Sequence, residues 1–340
     1  MSRSGIEAKI PWHAVPRQVR ERVAQMLGSD VVRAARVWGG YGPTPTYRLT
    51  LADRCRAFFK AVYASSNEVA RRAFAREERI YQDLGKIIGP WAPAYFGSFR
   101  EDDWHAMLLE DLGPKSAPPW TPHLACVVAR SFAEFHAATL GKPLPEWIER
   151  NPRPFGPPWA QVAMDSDGLW RIAALAGAEA DAALYWLRVA LPRFLDVDGA
   201  AKCTNSRVAL VHLDARSDNL RCVAGRLRLF DWPETAVAAP EYDIAELAQS
   251  ITVEGGPEPE QVVAWYAERL PVRSDLLDTA VVSLAGFFAH RSWQAEVRGL
   301  PRLRQFQRQQ LVVCLRWAAR RLGLLEPAWI HGIPGRMPSP

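Results

Sequence analysis

Val211 to Asn219 reads V-H-L-D-A-R-S-D-N, and twelve residues past Asn219 the run L-F-D-W brings a further carboxylate, Asp231. Carboxylate and amide oxygens are the donors a hard divalent cation such as Mg²⁺ takes. A carboxylate held beside a hydroxyl can orient it and take its proton. Together these groups suit in-line phosphoryl transfer, in which positioning and charge stabilisation do most of the work. Upstream, Lys60 ends the run Ala57-Phe58-Phe59, and a lysine in an apolar strand needs a partner. Glu77 and Glu78, neighbours on the next charged segment, compete for that role. Earlier still, Trp38-Gly39-Gly40-Tyr41-Gly42 is a turn whose backbone N–H groups can approach phosphates.

The spacing H-x-D-x-x-x-x-N followed by apolar-apolar-Asp is that of the catalytic loop and metal aspartate of the protein-kinase-like fold. On these residues the chain resembles the aminoglycoside phosphotransferase and choline kinase family, in ordered landmarks from Val37 to Ala248. The resemblance implies Asp214 as the base, Asn219 and Asp231 as the Mg²⁺ ligands, and His212 as the residue bracing the loop. Arg216 would be a fixed cation offsetting charge on the transferred group. For ATP or GTP as co-substrate, it implies a nucleotide site of Gly39, Gly40, Gly42 and Lys60, with Lys60 paired to Glu77. Tyr81 stands four residues after that glutamate, which favours Glu77 over Glu78. Leu108 to Gly113 resembles the hinge, where adenine would use the backbone carbonyl of Glu110 and the N–H of Leu112. His136 and Asp243 match structural positions, the latter tying its helix to the backbone of the catalytic loop. Pro45 stands at the third position of the glycine pattern, Pro43 removes another donor, and Pro233 replaces the glycine of D-F-G. Only Trp232 to Ala238 separates Asp231 from Ala239-Pro240-Glu241, too short a stretch to dock a peptide, which argues against a protein kinase.

Period and punctuation give the elements that must hold these residues. Pro16 to Leu27 reads as a helix stopped by Gly28; Ala34–Trp38, Thr46–Leu51, Cys55–Tyr63, Ala94–Arg100 and His105–Glu110 read as strands; Glu68–Leu84 reads as a charged helix. Beyond Pro114 to Pro122 the chain turns helical, over 123–140, 169–195, 242–252, 259–270, 275–297 and 303–322, with a hairpin of 220–223 and 227–230 embedded. The expected class is α+β: a bilobal protein-kinase-like fold with a small antiparallel-sheet N-lobe and a mainly helical C-lobe. The boundaries follow as residues 1–112 for nucleotide binding and 113–340 for catalysis and acceptor binding.

Composition limits the partners. The 340 residues are 49% hydrophobic and 23% charged, as in globular proteins. No apolar run reaches the roughly 18 residues a membrane span needs. The first residues, MSRSGIEAKIPWH, lack the apolar core of a secretory signal, so a cytoplasmic location is expected. Five scattered cysteines without a C-x-x-C pair read as free thiols. The net charge of +5 hides an uneven distribution: seven arginines and no acid between Val297 and Leu325, against twelve acids and three arginines from Asp231 to Glu296. The pairs Arg304/Arg308 and Arg316/Arg320 read as a solvated helix face, so nucleic acid is not the expected partner, although a pseudokinase or nucleic-acid-binding module is the alternative reading. The acidic stretch lies where the resembling family builds its acceptor pocket. It therefore favours, among small-molecule hydroxyl acceptors, a basic natural product such as an aminoglycoside, unless it is an exposed face. Trp232, Trp265 and Trp293 either stack on an acceptor or fill the core.

Overall fold

The structure, a computed structural model, describes residues 10–37, 44–200, 207–297, 300 and 302–334. The chain folds as two compact units, Met1–Ser116 with Asp218–Glu234, and Ala117–Ser217 with Thr235–Pro340. This departs from the expected boundaries of 1–112 and 113–340. The embedded hairpin belongs with the first unit, because its backbone and side chains bond there. Leu229 N–H donates to the Trp91 carbonyl at 2.5 Å, Arg228 to the carbonyls of Gly89 and Ala92 at 3.1 and 3.0 Å, and Cys222 N–H to Ser116 Oγ at 2.8 Å.

In the first unit, strands β1 (Val31–Arg36), β2 (Thr46–Leu51), β3 (Arg56–Val62), β4 (Tyr95–Glu101) and β5 (Trp104–Glu110) form one antiparallel sheet in the order β1-β2-β3-β5-β4. Helix α1 (Arg17–Leu27) ends at Gly28, whose φ of 68° supplies the left-handed cap. Its Val19 and Val23 pack with Tyr47, Leu49, Phe59, Phe99 and Leu108 in a closed core. Helix α2 (Glu68–Ile88) starts at Asn67, whose side chain accepts the Ala70 N–H at 2.8 Å. Phe74, Glu77, Tyr81, Leu84 and Ile88 are buried at helical spacing, so the pattern that makes α2 amphipathic also puts one glutamate on the inner face. The hairpin β7 (Leu220–Val223) and β8 (Arg226–Leu229) turns at Ala224 and Gly225, both at positive φ as a two-residue type I′ turn requires.

The second unit is built on helices α3 (Pro122–Thr139), α4 (Pro158–Met164), α5 (Gly168–Ala173), α6 (Ala180–Ala200), α7 (Pro240–Val253), α8 (Pro259–Ala267), α9 (Ser274–Arg291) and α10 (Leu303–Arg321). The single helix expected over 169–195 is broken at Gly177, whose φ of 60° and ψ of −116° no helix accommodates. Strand β6 (Ala209–Val211) pairs antiparallel with β9 (Ala236–Ala238), so β6 leads directly into the loop that carries Asp214. Helix α7 is buried along most of its length. Among the described residues, no helix is long and apolar enough to cross a membrane, and Cys55, Cys126, Cys222 and Cys314 are free. Cys203 lies outside the described residues.

Candidate active-site residues

In the first unit, β3 carries Lys60 to the inner face of α2, where Nζ donates to Glu77 Oε2 at 2.5 Å. The same ammonium donates to Asp231 Oδ1 at 2.8 Å, a second partner that spacing did not reveal. Burial alone would push Lys60 down, but Asp231 and Glu77 outweigh it and hold the ammonium above the ordinary lysine range. Glu78, one residue round the helix, is bonded instead to His105 Nε2 at 2.9 Å. Lys60 thus bonds Glu77 and not Glu78, and Tyr81 stacks on Tyr95 with ring centroids 5.6 Å apart. Asp231 has a φ of 68°, a left-handed backbone that Asp tolerates better than most residues. Asn219, nearly buried, closes the turn Ser217–Asn219, and its carbonyl accepts the Phe230 N–H at 3.0 Å.

Asp231 offers a carboxylate and Asn219 an amide oxygen, donor types that fit Mg²⁺, which commonly keeps one or two protein ligands and takes the rest from phosphates and water. Among the described residues no group of three His, Cys, Asp or Glu forms a metal cage. Glu110 ends β5 with its side chain accepting the Ala94 N–H at 3.1 Å, and just beyond Leu112, Gly113 N–H bonds to Asp111 Oδ1 at 3.0 Å. Gly39, Gly40 and Gly42 lie outside the described residues.

In the second unit, the loop after β6 carries Asp214. Leu213 has a φ of 59°, a strained conformation for leucine. Asp243, in the first turn of α7, over-determines it by accepting the His212 N–H at 2.5 Å on Oδ2 and the Leu213 N–H at 2.7 Å on Oδ1. His136 Nε2 lies 3.0 Å from the same Asp243 Oδ2, and its Nδ1 lies 2.7 Å from the Tyr266 hydroxyl. A carboxylate only accepts, so Nε2 carries the proton toward Asp243. His136 and Asp243 therefore have the structural places expected of them. The His212 ring accepts the Asp214 N–H at 3.3 Å, within the loop. Arg216 Nε lies 3.0 Å from Asp214 Oδ1, and its guanidinium sits over Phe306, 5.6 Å from the ring centroid.

Sequence reasoning missed Glu246. Its Oε2 accepts the Ala215 N–H at 3.3 Å, directly after Asp214. Burial, then the charges of Asp214 and Asp243, push its carboxyl well above the glutamate range. The available signal was its position three residues after Asp243, on the same helix face.

The acidic stretch is largely engaged with its own unit. Glu258 pairs with Arg320 at 3.0 Å, Glu260 with Arg321 at 2.7 Å and the Trp317 indole at 2.7 Å, Asp278 with Arg321 at 2.6 Å, and Glu241 with Arg207 at 2.7 Å. Arg304 and Arg308 donate to the Arg291 and Ser292 carbonyls at the end of α9, at 3.1 Å each. The arginine helix thus answers the acids and the α9 terminus rather than presenting a bare cationic face. Trp232 is fully buried, and Trp293 has Arg171 over its ring at 4.7 Å.

No protein-family model matches the chain, and no curated protein matches it by sequence. Solved structures do match. The chain is similar to spectinomycin phosphotransferase APH(9)-Ia in complex with ADP and spectinomycin, with a TM-score of 0.60 at 13% identity over 90% of this chain and 98% of that one. It is also similar to amicoumacin kinase hAmiN in complex with AMP-PNP, Ca²⁺ and Ami, with a TM-score of 0.55 at 11% identity over 87% and 93%. A choline kinase from Cryptosporidium parvum Iowa II gives 0.54 at 11% identity over 88% and 93%. The likeness establishes the fold: α+β, protein-kinase-like, with an antiparallel-sheet unit and a helical unit.

Proposed function

We propose that the chain is a small-molecule O-kinase, transferring the γ-phosphoryl group of ATP or GTP to a hydroxyl acceptor. The observation that carries this reading is the contact of Lys60 with both the buried Glu77 and the partly exposed Asp231, residues far apart in sequence whose types are those kinase-like phosphoryl transfer brings together. In this reading Lys60 holds the phosphates, Glu77 orients Lys60, and the backbone at Glu110 and Leu112 receives adenine. Asn219 and Asp231 would hold Mg²⁺, which when bound neutralises charge on the phosphates. Asp214 accepts the acceptor's hydroxyl proton, His212 braces its loop, and Arg216 fixes its carboxylate while keeping a cation beside the reacting groups. Gly39, Gly40 and Gly42 complete the phosphate loop.

The internal pairing of Glu258, Glu260 and Asp278 with Arg320 and Arg321 weakens the charge argument for a polycationic acceptor. The acceptor class we infer is a hydroxylated small molecule recognised chiefly by shape and hydrogen bonds. The test is acceptor-dependent ADP release with Mg²⁺ and ATP or GTP over a panel of sugars, amino alcohols, aminoglycosides and other hydroxylated natural products. Release with an acceptor, accompanied by a phosphorylated product in mass spectra, supports the reading. A panel in which every compound leaves the nucleotide intact overturns it.

A further inference from the structure

Glu254 lies at the C-terminal end of α7, where the helix dipole disfavours an acid. Its carboxylate is nonetheless held at both oxygens. Ser217 Oγ donates to Oε1 at 2.5 Å, and the Trp120 indole N–H donates to Oε2 at 2.7 Å. Ser217 and Trp120 are both buried, and both stand near the ends of one stretch of the second unit, Ala117–Ser217. The turn that follows serves the same contact. Gly256 has no room for a side chain, since a Cβ there would come within 2.8 Å of Trp120 Cβ and 2.5 Å of Ile251 Cγ2. The Gly255 and Gly256 N–H groups return to the Thr252 and Ile251 carbonyls, which fixes the helix end that carries the carboxylate.

The loop bearing Asp214 is therefore bonded to α7 in three places, by Asp243 at His212 and Leu213, by Glu246 at Ala215, and by Glu254 at Ser217. We propose that Glu254 is a positioning residue for Asp214, acting through Ser217: it fixes the C-terminal end of the loop as Asp243 fixes the N-terminal end. The proposal rests on the phosphoryl-transfer reading. A shift of about 1 Å in a catalytic group can cost on the order of 10²-fold in rate, so loss of one anchor should appear in kcat rather than in binding.

The experiment compares Glu254→Ala, Ser217→Ala, their double variant and Glu254→Gln with the wild type, measuring kcat, KM for nucleotide and acceptor, and amide hydrogen exchange over 212–217. A glutamine oxygen can accept the Trp120 N–H while its amide donates to Ser217 Oγ, so the uncharged replacement preserves both bonds. Glu254→Ala and Ser217→Ala should each lower kcat roughly 10-fold or more with little change in KM, and speed exchange over 212–217. The double variant should be no worse than the poorer single, and Glu254→Gln should recover most of kcat. Wild-type kcat and exchange in Ser217→Ala would overturn the proposal, as would Glu254→Gln raising the acceptor KM at unchanged kcat, the mark of a charge that touches the acceptor. A wild-type chain that transfers no phosphoryl group fails the functional reading alone; hydrogen exchange then judges the anchor by itself.

Discussion

At Asp214, replacement by asparagine keeps the shape of the side chain and removes its ability to take a proton. Asp214→Asn should therefore lower kcat by roughly 10²–10⁴-fold, while nucleotide affinity measured by calorimetry stays near wild type. A variant with wild-type turnover would take the base role from this residue. Lys60 poses a different test because it has two anionic partners. Removing Glu77 leaves the ammonium attached to Asp231 alone, drawn toward one of the oxygens assigned to the metal. Lys60→Ala and Glu77→Ala disrupt the same cluster, so their combined loss in log kcat should fall short of the sum of the singles. Full additivity in steady-state kinetics would mean that the two act separately. The choice of Glu77 over Glu78 was legible in the sequence through Tyr81, four residues after Glu77, and Lys60 bonds Glu77. The bond from Lys60 to Asp231 was not, because nothing local to either residue specifies contact across 171 positions.

Among the elements, α7 has the densest set of consequences. Its Glu246 is half-buried beside Asp214 and Asp243, with Arg216 also acting on it and the buried Cys314 of α10 nearby, and its carboxyl is raised well above the glutamate range. An acid raised in the folded state contributes stability fully below its unfolded value, and loses that contribution as pH rises toward the folded value. Glu246→Gln cannot ionise and can still accept the Ala215 N–H. Its melting temperature relative to wild type should therefore climb as pH rises from the ordinary glutamate range toward neutrality and above. A difference in Tm that is flat with pH, followed by differential scanning calorimetry, would contradict the raised carboxyl. Other parts of this level were only partly readable from the chain. The strands and α2 were visible because their periods are local, whereas the interruption at Gly177 depends on one residue's backbone. Strand β9 is three residues long, and its pairing with β6 is a tertiary fact.

Over the molecule as a whole, charge behaves differently from what its distribution along the sequence implies. The acidic stretch suggested a field that would attract cations, yet Glu258, Glu260 and Asp278 are each engaged by Arg320 or Arg321 of α10. The acceptor KM should accordingly change little between low and moderate KCl with nucleotide saturating, since long-range attraction by exposed charges is what salt screens. A KM that rises several-fold over that range would restore the polycationic acceptor. The path of the chain has a separate consequence. The first unit is completed by Asp218–Glu234, so the polypeptide passes between units three times, after Ser116, Ser217 and Glu234. No single peptide bond can be cut to release either unit intact. For a gene, this means that neither unit can be shuffled onto another protein by one junction: exchanging the sheet unit for that of a relative would take three coordinated splices, and the two units are inherited together.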